Sequence, residues 1–147
     1  MRKAIRDVLG EHAPVQRCIR HKERNVVGHL PEGDRGAVKR RLRSAWAEHH
    51  HDRALERLEL LAGELARSHP GAAASLREGM IETLTIHRLG ITGPLKATLS
   101  STNPIESMIE CVRHPRKVKR WSSGETALRW TAAGMLEAER QFRRMIG

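Results

Sequence analysis

The feature that most constrains the fold is a stripe of apolar residues spaced three and four positions apart within residues 52–67. The stripe consists of Leu55, Leu58, Leu61, Ala62 and Leu65. This spacing places all its members on one face of an α-helix, whereas a half-buried strand would alternate strictly. Similar stripes predict helices over residues 34–48 and 70–88. The sequence therefore predicts a mainly α-helical chain with at most one short strand, at residues 14–18.

Residues typical of helix termini predict where these helices begin. Asp34 and Asp52 are the predicted N-caps of two helices, and Pro70 is the predicted first residue of a third. Residues 122–125, with the sequence SSGE, form a capping box ahead of a long amphipathic helix at the C-terminal end.

Composition excludes several classes of protein. Aromatic residues make up 3% of the 147, which argues against a sheet-rich fold. The sequence contains no apolar run of about 18 residues and no signal-peptide pattern, so neither a membrane span nor secretion is expected. Two cysteines, Cys18 and Cys111, cannot build a disulfide framework, so a reducing, cytoplasmic setting is the default.

Positive charge is concentrated at the two ends of the chain. The 27 Lys and Arg against 17 Asp and Glu give a net charge of +10, of which residues 1–50 contribute +6 and residues 101–147 contribute +4. A polyanion is therefore a plausible partner at both ends. The alternative is that the excess charge serves solubility alone.

A run of five basic residues without an acid lies in residues 113–120. It consists of Arg113, Arg116, Lys117, Lys119 and Arg120. Such density suits contacts to DNA phosphates, although basic runs are often only solvated. Trp121, which follows, could stack on a base or anchor the next helix.

Two C-x₂-H pairs are candidates for metal binding. Cys18 with His21, and Cys111 with His114, could together form a Cys₂His₂ zinc site. The alternative for Cys18 is a small buried hydrophobic residue at the end of a strand.

The residues around Glu106 can be interpreted in two ways. Asn103 as N-cap, Pro104 as first helical residue and Glu106 two residues later make a capping box. The functional interpretation takes Glu106 as an active-site carboxylate on the first turn of a helix.

Five stretches taken in order resemble one protein family. They are QRCIRHKERNV, PGAAASLREGMIETLTIHRLGI, LSSTNPIESM, RKVKRW and GETALRWTAAGMLEAERQFRRM. Together they resemble the C-terminal portion of mutator-type transposases of bacterial insertion sequences. The C-x₂-H signature (Cys18, His21) and the T-N-x-I-E motif (Asn103, Glu106) carry most of the resemblance.

The resemblance implies a fold, a reaction and a cofactor. Family members have an RNase H-like core with a helical insertion, and three acidic residues hold two Mg²⁺ ions for phosphodiester strand transfer. Glu106 matches the third acid, while the two Asp of the family correspond to positions before Met1. The chain is thus expected to be a fragment that is inactive alone, with DNA, a second copy or a full-length transposase as partner and no membrane association. The alternative is a non-catalytic, basic helical protein that binds DNA or a transposase.

The resemblance also implies how the fragment is organised. It is expected to be one partial domain, with residues 1–30 a remnant of the core, 31–98 the helical insertion and 99–147 the C-terminal core helices. Most strands of the core sheet would precede Met1. The C-terminal helix is therefore expected to expose Leu128, Met135 and Phe142.

The basic run predicts weak, salt-sensitive binding to DNA of any sequence. Replacing Arg116, Lys117, Lys119 and Arg120 by alanine should flatten the slope of log affinity against log salt concentration by several units, since each lost contact to a duplex phosphate removes about 0.9. Fluorescence anisotropy of a labelled duplex over a salt series measures this slope. A slope that stays the same would place the DNA contacts elsewhere on the chain.

Overall fold

The described part of the chain is almost entirely helical. A computed structural model describes residues 2–10, 12–113 and 122–142, with the backbone alone at residues 2–4 and 6. Within these ranges there are nine α-helices and one 3₁₀ helix, without any strand. They are α1 (Arg2–Leu9), α2 (Ile19–Gly28), α3 (Glu32–Ala47), α4 (His51–Ser68), α5 (Pro70–Arg77), the 3₁₀ helix (Ile81–Leu84), α6 (Thr85–Arg88), α7 (Gly93–Leu99), α8 (Asn103–Arg113) and α9 (Gly124–Arg140). The predicted mainly α-helical class is confirmed, and none of these helices is long and apolar enough to cross a membrane.

Two of the predicted N-caps lie inside their helices. Because α3 begins at Glu32 and α4 begins at His51, Asp34 and Asp52 belong to the first helical turns. In that position an acidic side chain complements the positive end of the helix dipole without capping a backbone N–H.

The C-terminal helix and the helix at Pro70 begin close to where they were predicted. Pro70 is the first residue of α5, as predicted. The cap of α9 is Ser123, whose hydroxyl accepts a hydrogen bond from the Thr126 backbone N–H at 3.2 Å. The predicted capping box was therefore one residue out of register.

The predicted helix over residues 70–88 is interrupted. α5 ends at Arg77, and Gly79 takes a φ of +66° before the chain continues as the 3₁₀ helix and α6. A residue with a side chain adopts this left-handed conformation only at a cost, so Gly79 permits the break.

Residues 14–18 are extended but do not form a strand. The Arg17 N–H donates to the Glu82 carbonyl at 2.8 Å, and the Thr85 hydroxyl donates to the Val15 carbonyl at 2.7 Å. These partners lie in the 3₁₀ helix and α6, so the extended segment is satisfied by helical elements instead of a neighbouring strand.

The chain divides into two compact units. Unit 1 is Met1–Ser100 and unit 2 is Ser101–Gly147. The predicted organisation as a core remnant, an insertion and C-terminal core helices remains a prediction, as does the RNase H-like relationship.

The core of unit 1 is built around α4. This helix packs against α3 and α5, and α2 packs against α3 and α5. The large buried side chains of this core include Leu42, Trp46, Leu58, Leu61, Leu76 and Leu84. The indole N–H of Trp46 donates to the Thr83 hydroxyl at 3.1 Å, so this buried polar group is satisfied.

Unit 2 contains a packed pair of helices, α8 and α9. They approach closely at Gly134, where a Cβ atom would lie 2.9 Å from the Cα of Val112. Among the described residues of this unit only Ala138 is buried. Leu128, Met135 and Phe142 are exposed, as predicted.

Two leucines of α4 provide a matched test of the core. Leu58 is fully buried, whereas Leu60 is 60% exposed on the same helix. Leu58→Ala should lower the free energy of unfolding by about 2–5 kcal/mol, because it removes apolar contacts and leaves a cavity. Leu60→Ala should change it by less than about 0.5 kcal/mol. Urea denaturation followed by circular dichroism measures both, and equal losses would contradict the placement of α4.

Candidate functional site

Glu106 is an exposed carboxylate on the first turn of α8. Its backbone N–H donates to the Thr102 carbonyl at 2.9 Å, and its Oε1 accepts a hydrogen bond from the Thr102 hydroxyl at 2.6 Å. The negative charge is also favoured by the positive end of the helix dipole. The local sequence therefore holds a solvent-facing carboxylate in a defined position on a helix.

The helix begins one residue earlier than the motif predicted. Asn103 is already its first residue, so Thr102 occupies the position that was assigned to Asn103. The Asn103 N–H donates to the Ser101 hydroxyl at 3.4 Å. Pro104 falls in the first turn, where its missing N–H costs no helical hydrogen bond.

One of the five predicted DNA-contacting residues lies within the described part of the chain. Arg113 is exposed at the end of α8 and forms an ion pair with Glu110 at 3.0 Å. Arg116, Lys117, Lys119 and Arg120 lie outside the described residues. Their role in DNA binding remains a prediction.

The C-x₂-H signature lies at the start of α2, in unit 1. Cys18 precedes the helix and is buried, whereas His21 is exposed. Cys111, half-buried on α8, belongs to unit 2, and His114 lies outside the described residues. No group of three or more potential metal ligands occurs in the ranges that the structure describes, and the zinc site stays a prediction.

Lys22, one residue after the signature, is a buried cation that was not predicted from the sequence. Only 1% of Lys22 is exposed. Its ammonium group donates to the Ser75 carbonyl at 2.6 Å, to the Glu78 carbonyl and to the Glu78 carboxylate at 3.2 Å. Burial lowers the pKa of Lys22, while its hydrogen bond to Glu78 opposes that shift. The cation thus caps the C-terminal end of α5, where the helix dipole favours positive charge.

A second cation reaches the same end of α5. Arg17 donates through Nη1 to the Glu78 carboxylate at 2.6 Å and to the Glu78 carbonyl at 3.3 Å. Hydrogen bonds from Arg17 and then from Lys22 lower the pKa of Glu78 to about 2.

Gln16 connects the extended segment to the elements that follow α5. Its Nε2 donates to the Thr83 carbonyl at 3.0 Å, and its Oε1 accepts from the Ile86 N–H at 3.0 Å. Residues 16–22, which include the signature, therefore join α2 to the break between α5 and α6.

One feature of the sequence could have identified Lys22. It lies four residues after Cys18 and four before Val26, and both of those are buried. A lysine on the apolar stripe of a helix implies either an exposed stripe or a buried partner set.

One known protein family matches the chain across both the C-x₂-H signature and the segment around Glu106. The family model described as "Transposase, Mutator family" matches residues 1–144, which include both the C-x₂-H signature and the Glu106 motif. A search of curated proteins and a search of solved structures found no significant match.

A match over this length defines the class of protein as a DNA transposase. The chain belongs to the Mutator family of transposases. The resemblance proposed from the sequence is confirmed, and a role in transposition follows from the family.

The ion pairs of Glu78 with Arg17 and Lys22 at the end of α5 predict that the stability of the fold depends on pH. Because the pKa of Glu78 is about 2 in the folded chain and 4.5 ordinarily, its stabilising effect is present above pH 4.5 and is lost as the pH falls towards 2. Glu78 is largely exposed, so solvent screening reduces the effect. Glu78→Gln should flatten the curve of unfolding free energy against pH in this range.

Urea denaturation at several pH values measures this curve. Glu59→Gln, an exposed position on α4, is the control and should leave the curve unchanged. An identical curve for Glu78→Gln and the unsubstituted chain would show that the ion pairs contribute nothing.

Proposed function

We propose that Glu106 is the third metal-ligating acid of a transposase that transfers DNA strands with two Mg²⁺ ions. The observation that carries this proposal is the exposed carboxylate of Glu106 on the first turn of α8, within a chain that belongs to the Mutator family. Mg²⁺ prefers oxygen ligands in a rigid arrangement, and a carboxylate anchored by Thr102 on a helix suits that requirement.

The residues present fit one ligand of such a site. Glu106 supplies a hard oxygen donor, but the described residues contain no cluster of three potential ligands. When bound, the metal ions would supply Lewis-acid stabilisation of the oxygens that gain charge during phosphodiester transfer. In this proposal Glu106 contributes to holding them, and Thr102 orients Glu106.

A single matching carboxylate also supports the proposal that these 147 residues have no catalytic activity by themselves. By resemblance, Asp7, Asp34 and Asp52 do not correspond to the two aspartates of the family. Asp34 and Asp52 lie on the first turns of α3 and α4, which leaves Glu106 as the one acid assigned to the metal site.

The proposed partner is DNA, contacted in part by Arg113 and the basic residues that follow it. In the family the bound DNA is an end of the transposable element. The net charge of +10 supports non-specific attraction to the phosphate backbone. Action on bacterial DNA is consistent with a cytoplasmic setting. A longer transposase would supply the two aspartates, whereas a second copy of these 147 residues would add only another Glu106.

The first test uses the 147-residue chain alone. With Mg²⁺ or Mn²⁺ it should neither nick nor join a supercoiled plasmid, because one carboxylate does not hold a metal pair. Agarose gel electrophoresis detects both products. Metal-dependent nicking that disappears in Glu106→Gln would refute the proposed inactivity.

The role of Glu106 is tested in a longer chain that supplies the two aspartates. There, Glu106→Gln should reduce strand transfer by about a thousandfold or more, which corresponds to several kcal/mol of metal-dependent stabilisation. Glu139→Gln, at an exposed position of α9 in the same unit, is the control and should retain activity. Equal losses in the two variants would remove the special role of Glu106.

A further inference from the structure

Five basic side chains lie together on α2 and α3, in the compact unit that does not contain the basic run of residues 113–120. They are Arg20 and Arg24 on α2 with Lys39, Arg40 and Arg43 on α3, and we name them the α2–α3 basic patch. Four of the five are exposed, and Lys39 is half-buried. All lie within unit 1.

A contact between the two helices fixes the position of the patch. Arg43 forms two hydrogen bonds to the carboxylate of Glu23, at 2.7 and 2.8 Å. On α2, Arg20 is one helical turn from both Glu23 and Arg24. On α3, Arg43 is one turn from both Lys39 and Arg40. Because residues three and four apart are neighbours on a helix, the Arg43–Glu23 pair brings the five cations to one surface.

Most of this charge is not neutralised by the protein. Arg20, Arg24, Lys39 and Arg40 form no ion pair with any residue that the structure describes, whereas neighbouring Arg41 is paired with Glu64. The side chain of Glu23, which is paired with Arg43, is 15% exposed against 69% for Arg43. The surface therefore presents cations to solvent above a largely covered carboxylate.

Charge is also segregated between the faces of unit 1. α2 and α3 together contain eight Lys and Arg against three acids, whereas α4 contains three against four. The face of α4 opposite the core includes Asp52, Glu56 and Glu59 beside Arg67. A polyanion would be attracted more strongly to the α2–α3 basic patch than to this face, so the segregation also orients the protein.

We infer that the α2–α3 basic patch binds the phosphate backbone of double-stranded DNA. The choice of DNA among polyanions rests on the proposed transposase function. The cations that contact DNA would then include the α2–α3 basic patch as well as the basic run of residues 113–120. Contacts of exposed Lys and Arg to phosphates hold a duplex without reading its sequence, and they make affinity depend steeply on salt.

A pair of charge-matched variants tests the inference in the full chain. Arg20→Gln, Arg24→Gln and Arg40→Gln are combined in the patch variant. Arg53→Gln, Arg67→Gln and Arg88→Gln are combined in the control, since all three are exposed positions of unit 1 outside the patch. Both variants lose three positive charges, and glutamine keeps the helix propensity of arginine.

The readout is fluorescence anisotropy of a random-sequence DNA duplex at increasing NaCl concentration. The patch variant should reduce the slope of log affinity against log salt by about 2–3, whereas the control should reduce it by less than about one. Equal slopes for the two variants would overturn the inference. Circular dichroism at each NaCl concentration verifies that both variants keep the helical content of the unsubstituted chain.

Photocrosslinking provides a measurement that is independent of affinity. A benzophenone amino acid at Ala47, one turn after Arg43 on α3, should crosslink to the duplex. The same group at Leu60, exposed on the acidic helix α4, should not. If only the group at Leu60 crosslinks, DNA binds the face of α4 and the inference about the α2–α3 basic patch is wrong.

Further outcomes separate this inference from its premise. In one such outcome, the patch variant leaves the salt slope unchanged while strand transfer by the longer chain still depends on Glu106. That result would refute DNA binding by the patch but leave the proposed function intact. Tighter binding of an RNA duplex than of DNA, abolished by the same three arginine substitutions, would refute the choice of DNA.

Discussion

The packing of unit 1 depends most on the hydrogen bonds that the buried ammonium group of Lys22 donates to Ser75 and Glu78. A buried cation without partners would cost several kcal/mol, so its three acceptors at the end of α5 must remain in place. This requirement fixes α2 against α5. Through Arg17 and Gln16 it also fixes the extended segment before α2 against the 3₁₀ helix and α6. One satisfied charge thereby coordinates elements that are far apart in sequence.

The two sequence motifs of the family serve different physical purposes in this chain. The segment that contains Cys18 and His21 lies beside Lys22 and joins helices within unit 1. The segment that contains Glu106 presents an exposed carboxylate at the start of a helix in unit 2. The first motif is embedded in the packing, and the second displays a functional group. This contrast supports the proposal that Glu106, and not the C-x₂-H signature, ligates the metal ions.

The sequence predicted the helices well because their apolar stripes follow the helical period. It did not predict the break after Arg77, since Leu76, Met80 and Leu84 continue the same period and are all buried. A helix that is interrupted and then resumed places the same residues in the core. The pattern therefore does not distinguish the two cases, and Gly79 was the one local indication of a break.

The candidate site was predictable to a different extent for each residue. Pro104 and Glu106 are typical of the first turn of a helix. The start of α8 could therefore be predicted from residues 102–106 alone. The environment of Lys22 did not, because its acceptors lie 53 and 56 positions further along the chain. A lysine is normally exposed, and only tertiary packing shows that this one is covered. The α2–α3 basic patch similarly required the contact between Arg43 and Glu23.

The burial of Trp46 gives the two compact units separate optical signatures. Its indole ring lies in the core of unit 1, 4% exposed, with its N–H bonded to Thr83, whereas Trp130 in unit 2 is 46% exposed. A buried indole emits at shorter wavelength than a hydrated one. Unfolding of unit 1 therefore shifts the emission of Trp46 to longer wavelength. Trp130 is already partly exposed to water in the folded chain, so its emission changes less. Replacing Trp130 and Trp121 by phenylalanine leaves Trp46 as an intrinsic fluorophore that follows the folding of unit 1 alone, including while DNA is bound.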